Sequence, residues 1–267
     1  MDLSGLQAYG VLLAIGALVG LLIGISGIGS GSVLTPLLIL LGGMSPTTAV
    51  GTSLLFSFVT KLFASWTFLR RGMVDFHIVR HLSFGAVPGT LFGASLIRYL
   101  GVRRPDVLDT FVLRAIGTVL ILVALIMFLR LLPGHVRPSA VDRTLPFSPA
   151  VRRVLIVLIG FAVGVAFSVT SIGSAALVIP AMVLFYRVDA GTLVGTNVFA
   201  ATFLALIALI PHAGLGHVEW KGVLALICGS LPAVWLTSRL HGRVPRHIPE
   251  GIIALALLVM GLAVFAR

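Results

Sequence analysis

The chain repeats itself. Ile28-Gly29-Ser30, Pro36 and Thr48-x-Val50-Gly51-Thr52 recur as Ile172-Gly173-Ser174, Pro180 and Thr192-x-Val194-Gly195-Thr196, always 144 residues later and without a gap. The register continues through Gly72, Val74 and Asp75 against Gly216, Val218 and Glu219, and through Gly85 and Pro88 against Gly229 and Pro232. Both copies lie in strongly apolar sequence. A duplicated apolar unit with a Gly/Ser-rich interruption near the start of each half is the pattern of a secondary transporter built from two membrane repeats.

Composition supports the membrane assignment. Hydrophobic residues make up 58% of the chain and charged ones 10%, where a soluble domain carries about 25% charged residues. Several apolar stretches exceed the roughly 18 residues that define a span. The net charge of +11 would suggest nucleic acid in a soluble protein. Here the arginines fall between apolar segments, as orientation by basic loops requires, and no nucleic-acid partner is expected. The single Cys228 excludes an intrachain disulfide. Met1 to Ile25 has Asp2 as its only charge and no basic leader, so it reads as a mature helix rather than a signal peptide.

Five apolar pieces are expected in each half. In the first they are Tyr9–Ile25, Ser32–Leu41, Pro46–Leu69, Phe76–Leu100 and Thr110–Leu132; in the second, Val151–Val169, Ala175–Tyr186, Ala190–Pro211, Val218–Leu240 and Ile248–Ala266. The second piece of each half is too short to cross a bilayer. It follows a break, Ser26-Gly27-Ile28-Gly29-Ser30-Gly31-Ser32 in one half and Ser168-Val169-Thr170-Ser171-Ile172-Gly173-Ser174 in the other. The chain therefore divides into a first repeat (1–132), a proline-bearing linker (133–150) and a second repeat (151–267). The expected fold is an all-α polytopic membrane protein, each repeat holding a broken helix/half-helix hairpin and three long transmembrane helices.

Whether the halves are parallel or inverted depends on whether the broken unit crosses once or turns back. With Arg70, Arg71, Arg130, Arg137, Arg143, Arg152 and Arg153 fixed inside, the inverted arrangement also places Arg187, Arg239, Arg243 and Arg246 inside. The parallel arrangement leaves those four outside and gains only Lys221. Both misplace Arg98, Arg103 and Arg104. The inverted arrangement is preferred, with both termini outside.

Three constellations are candidates for binding. A half-helix that begins inside the membrane presents unpaired N–H groups and a positive dipole end, which attract an anion. Around the two starts lie Ser26, Gly27, Gly29, Ser30, Gly31, Ser32 and Thr35, and Thr170, Ser171, Gly173 and Ser174. Close helix packing by small residues is the competing explanation. A second matched pair, Gly51-Thr52-Ser53 and Gly195-Thr196-Asn197, lies about two turns into the next long helix, where short donors could face the breaks; hydrogen bonding to their own helix is the alternative. The third candidate is Lys61, well inside its helix. A lysine at a helix centre costs about 2.5–3.5 kcal/mol on insertion scales, unless it snorkels toward Arg70. All eight acids fall in loops or at segment ends, so a bound anion is the natural counter-charge.

Other features carry less. Pro88 and Pro232, with their glycines, read as kinks that serve packing. His77, His81, His212 and His217 sit near helix ends, where interfacial histidine is unremarkable. No phosphate loop, Cys/His metal cluster or GxSxG appears, so neither an enzyme, a metal site nor a cofactor is expected.

The repeat, the Gly-rich break after the first helix and the Pro and Gly-Thr that follow it resemble the TauE/SafE family of sulfite exporters, also called toluene-sulfonate uptake permeases. The resemblance covers essentially the whole chain. Its second break, Ser171-Ile172-Gly173-Ser174, holds fewer glycines than family members usually carry there. The resemblance implies a carrier in the cell (inner) membrane for sulfite, organosulfonates or related sulfur or carboxylate anions, with the lipid bilayer as its other partner; a homodimer is compatible with it. Export without a coupled ion is favoured: moving one charge across 100 mV is worth about 2.3 kcal/mol, and the membrane carboxylates that usually bind protons or sodium are missing. Import of an organic anion, or a membrane-embedded enzyme or scaffold, are the alternatives.

Overall fold

The computed structural model describes residues 3–26, 31–131, 149–173, 188–238 and 247–266, with short pieces at 177–179, 182 and 185–186. The described chain is helical throughout: α1 Leu3–Ser26, α2 Gly31–Leu40, α3 Pro46–Arg70, α4 Phe76–Arg103, α5 Pro105–Leu131, α6 Pro149–Thr170, α7 Ala190–Gly214, α8 Trp220–Ser238 and α9 His247–Phe265. These agree closely with the expected pieces. Between α6 and α7 the expected Ala175–Tyr186 is described only in part, and most of the 133–150 linker lies outside the described residues.

The boundaries follow from local chemistry. Ser45 caps α3 with Pro46 in the first turn, where a missing N–H costs nothing. Its counterpart Asp189 caps α7, accepting from the Thr192 N–H at 2.8 Å and the Thr192 hydroxyl at 2.7 Å. Asp75 caps α4 through the His77 and Ile78 N–H groups. α3 and α7 end on Gly72 and Gly216, whose φ values of 66° and 77° suit the left-handed residue that closes a helix.

Five of these helices are long and apolar enough to cross a membrane: those over Pro46–Arg70, Pro105–Leu129, Arg153–Thr170, Gly191–Gly214 and Trp220–Thr237. Their outward faces carry Phe63, Trp66, Leu125, Leu158, Phe203, Leu224 and Trp235, all more than half exposed. Apolar cover on that scale suits lipid and not water. The protein is a polytopic membrane protein.

The halves interleave. α1 packs chiefly on α8 and α4 on α6, while α3 meets α7 and α5 meets α9. Glycines set each approach, and the repeat relates them. Gly16 and Gly20 of α1 abut the backbones of Leu226 and Ser230, as Gly160 and Gly164 of α6 abut those of Leu82 and Ala86. Both partners advance together, so α1 runs parallel to α8 and α6 to α4. Gly51, near the start of α3, lies against His212 in the last turn of α7 and His217 just beyond it; Gly195, near the start of α7, lies against Phe68 in the last turn of α3 and Met73 just beyond it. α3 and α7 are therefore antiparallel.

This arrangement defines two ends of the bundle. At one, Asp109 of α5 accepts from the N–H and hydroxyl of Thr47 at the start of α3. At the other, the Asp75 N–H donates to the Thr196 hydroxyl at 2.9 Å. α1 starts and α9 ends at the Asp109 end; α5 ends and α6 starts at the Asp75 end. α1 and α3 both run away from the Asp109 end, and α2 with the 41–45 turn leads into the start of α3 there.

Candidate functional site

The two breaks meet. A Cβ on Gly31, the first residue of α2, would fall on the backbone carbonyl of Ser171, just past the end of α6. Only glycine permits that contact, and the start of the first half-helix is thereby set against the second break. From Gly31 to Ile39 every residue of α2 is buried, Ser32 and Thr35 included. Gly27, Gly29, Ser30 and Ser174 lie outside the described residues, as does the side chain of Ser26.

The second break has a strained backbone. Ser171 holds φ at 61° and Gly173 at 119°. A left-handed serine costs about 1–2 kcal/mol, and non-glycine residues kept there concentrate at functional sites. Thr170 helps to fix the turn: its hydroxyl donates to the Ala166 carbonyl at 2.7 Å and accepts from the Ile172 N–H at 3.1 Å. The hydroxyls of Ser168 and Ser171 are buried with no hydrogen-bond partner, as are those of Thr35 and Ser53. A buried hydroxyl left unmatched costs about 1–3 kcal/mol, so these oxygens want a partner the protein does not supply.

Lys61 reaches the same break. Its ammonium sits over the ring of Phe167, 5.0 Å from the centroid, one turn before Ser171. The lysine is 8% exposed and Phe167 0%. The side chain does not run out toward Arg70, whose guanidinium stacks instead on Trp66 at 4.6 Å. An aromatic face under a desolvated cation is worth about 2 kcal/mol, which offsets part of the burial cost and leaves the charge at the break.

The Gly-Thr pairs do something different. Gly51 and Gly195 admit the carbonyls of His217 and Met73. Thr52 accepts from the Glu219 N–H at 3.1 Å and Thr196 from the Asp75 N–H at 2.9 Å. Each pair thus fastens the start of a long helix to the turn that ends its partner from the other repeat. Neighbouring Ser53 and Asn197 are buried.

One element was missed by sequence reasoning. His212, expected at an unremarkable interface, is 0% exposed. Its Nε2 lies 3.4 Å from the Ser168 carbonyl, and the His217 ring is 6.0 Å away. Burial pushes the half-buried His217 below its ordinary range, while the nearby Asp109 carboxylate pulls it back. The available signal was the repeat itself, which puts Phe68 and Met73 where the second half has His212 and His217.

A lipid-embedded bundle with interleaved repeats, two breaks in contact and a buried cation beside them is the build of a membrane transporter. The chain belongs to the sulfite exporter TauE/SafE family, whose model matches residues 12–264. Three curated relatives from Bacillus subtilis match more than nine-tenths of the chain. The probable membrane transporter protein YjnA is 33% identical over 252 residues, covering 94% of this chain and 97% of the relative. The probable membrane transporter proteins YunE and YdhB are each 24% identical, over 95% and 92% of this chain and 94% and 95% of their own. No solved structure matches the chain.

Proposed function

We propose that this protein is a secondary transporter and not an enzyme, and that it exports small anions, such as sulfite, organosulfonates and related sulfur or carboxylate anions, across the inner membrane. One observation carries the reading: the Lys61 ammonium stands over Phe167, one turn before Ser171, and in the same stretch the hydroxyls of Ser168 and Ser171 are buried with no hydrogen-bond partner. Together they offer charge and O–H donors to a tetrahedral or planar oxyanion in a dry setting, where charge-assisted hydrogen bonds are strongest. The contact between Gly31 and Ser171 brings the start of α2 to the same place, so its N–H groups can add to the site.

The antiparallel α3 and α7 support repeats of opposite orientation in the bilayer, with the α1–α2 unit turning back. Arg70, Arg71, Arg130, Arg152 and Arg153 all belong to the Asp75 end, so that end takes the cytoplasmic side and both termini lie outside.

Purified protein in liposomes loaded with sulfite, methanesulfonate or thiosulfate should release at least one of them faster than protein-free vesicles. Failure across such a panel would refute the anion reading. In Cys228→Ser protein, an outside label should modify Asp2→Cys and not Asp142→Cys; the reverse pattern would overturn the orientation.

A further inference from the structure

The reading above uses no coupled ion, yet the structure holds a buried titratable group beside the second break. We propose that His212, reached through His217 and Asp109, is a proton-binding site that couples anion movement to proton movement.

The geometry runs inward from the Asp109 end. Asp109 is half-buried and is held by Thr47 through its N–H at 3.1 Å and its hydroxyl at 2.8 Å. His217 is half-buried in the turn between α7 and α8, and its Nδ1 is buried without a partner. The 6.0 Å between the two imidazole centroids is a gap that one water can bridge. His212 follows, fully buried. Because the Ser168 carbonyl can only accept, the His212 Nε2 facing it carries the hydrogen. In the neutral ring Nδ1 is then a bare lone pair, and it too has no partner. That lone pair is where a proton can land: an N–H bond forms, and the ring passes from neutral to cationic against the carbonyl of Ser168, three residues before Ser171.

The groups facing His212 come from every neighbouring element. The turn contributes His217 and, beyond it, Glu219; α5 contributes Asp109 behind His217; α6 contributes the Ser168 carbonyl. α3 contributes Gly51 and a backbone interaction with Thr47. Two backbone carbonyls and a carboxylate behind them would stabilise the imidazolium, while the dry surroundings oppose it. An anion arriving at Ser168 and Ser171 tips that balance toward the proton, and by linkage the proton tips it toward the anion. At the Asp75 end Phe68 and Met73 occupy the matching positions, so this histidine pair is not duplicated by the repeat.

The proposal rests on anion transport, and the experiment separates the two. Proteoliposomes would carry methanesulfonate or thiosulfate, with the potential clamped and an internal pH dye. One proton per monovalent anion makes transport electroneutral. A 100 mV clamp should then leave wild-type methanesulfonate accumulation unchanged, while His212→Gln, uncoupled, should respond by about fifty-fold. The dye should report proton movement only with wild type. Anion flux that follows the clamp in wild type, without a dye signal, overturns coupling and leaves anion transport standing. Should no anion in the panel be carried, histidine-labelled protein still decides by imidazole 15N spectra assigned with His212→Phe, a packing match to Phe68. A His212 ring whose 15N shifts report protonation at any pH where the protein stays folded, with or without added anion, sustains the site, and one that stays neutral over that whole range overturns it.

Discussion

The two repeats agree at most of the close helix contacts and differ around the second break. Gly16, Gly20, Gly51 and Gly85 have working counterparts in Gly160, Gly164, Gly195 and Gly229, each against the matching stretch of the other half. Thr52 and Thr196 accept from matching turn amides. Against this, Lys61 matches Ala205, Phe167 matches Ile23, Ser171 matches Gly27, and His212, His217 and Asp109 match Phe68, Met73 and Ile253. Packing at close helix approach tolerates little change in volume, so the repeat persists there. Charge needs to stand only once at a shared centre. The duplicated frame holds the fold, and Lys61, Ser171, His212 and His217 stand where the two copies depart from each other.

The largest effects should come from breaking the matched frame. Gly51→Val and Gly195→Val each drive a side chain into a backbone carbonyl that cannot rotate away, and overpacking of that kind costs about 1–3 kcal/mol or more. Thermal unfolding in detergent should show both variants strongly destabilised and by similar amounts. Tolerance of one and not the other would break the equivalence.

A smaller and equally symmetric loss is expected at the turns. Thr52→Val and Thr196→Val each remove one acceptor for a turn N–H, worth about 0.5–1.5 kcal/mol. Equal, modest losses of stability with anion affinity intact would sharpen the view that these threonines fasten helices. A large loss of affinity in either would return that pair to the binding site.

The smallest effect concerns an unmatched residue. Burial lowers the His217 pKa in the folded protein, so the unfolded chain binds protons more readily. That contribution is intact above the ordinary histidine pKa of about 6.5 and is lost as pH falls below it. His217→Met, which copies Met73, should flatten the acid side of the stability profile. An unchanged profile would show that the ring is not strained by burial.

Much of this was legible in the sequence because duplication and apolar length report directly on membrane helices. All nine described helices match apolar pieces. The breaks were visible as Gly/Ser runs, although part of each lies outside the described residues. What sequence could not give was depth and direction. Thr52 and Thr196 were expected near the breaks, but the distant amides of Glu219 and Asp75 engage them. His212 looked interfacial because it follows Pro211 at a helix end, yet the crossing of α3 and α6 over that end buries it. Phe167 was one apolar residue among many until Lys61 was found above it.

The central claim is that the anion sits at the second break beside Lys61. Isothermal titration of the purified protein with an anion shown to be carried, wild type against Lys61→Met, tests it most directly. Loss of a hydrogen bond to a charged group is worth about 1.5–3 kcal/mol, so Kd should rise about ten-fold or more. Lys61→Arg should recover part of that loss, since charge survives while geometry changes. Equal affinities for wild type and Lys61→Met would contradict the account.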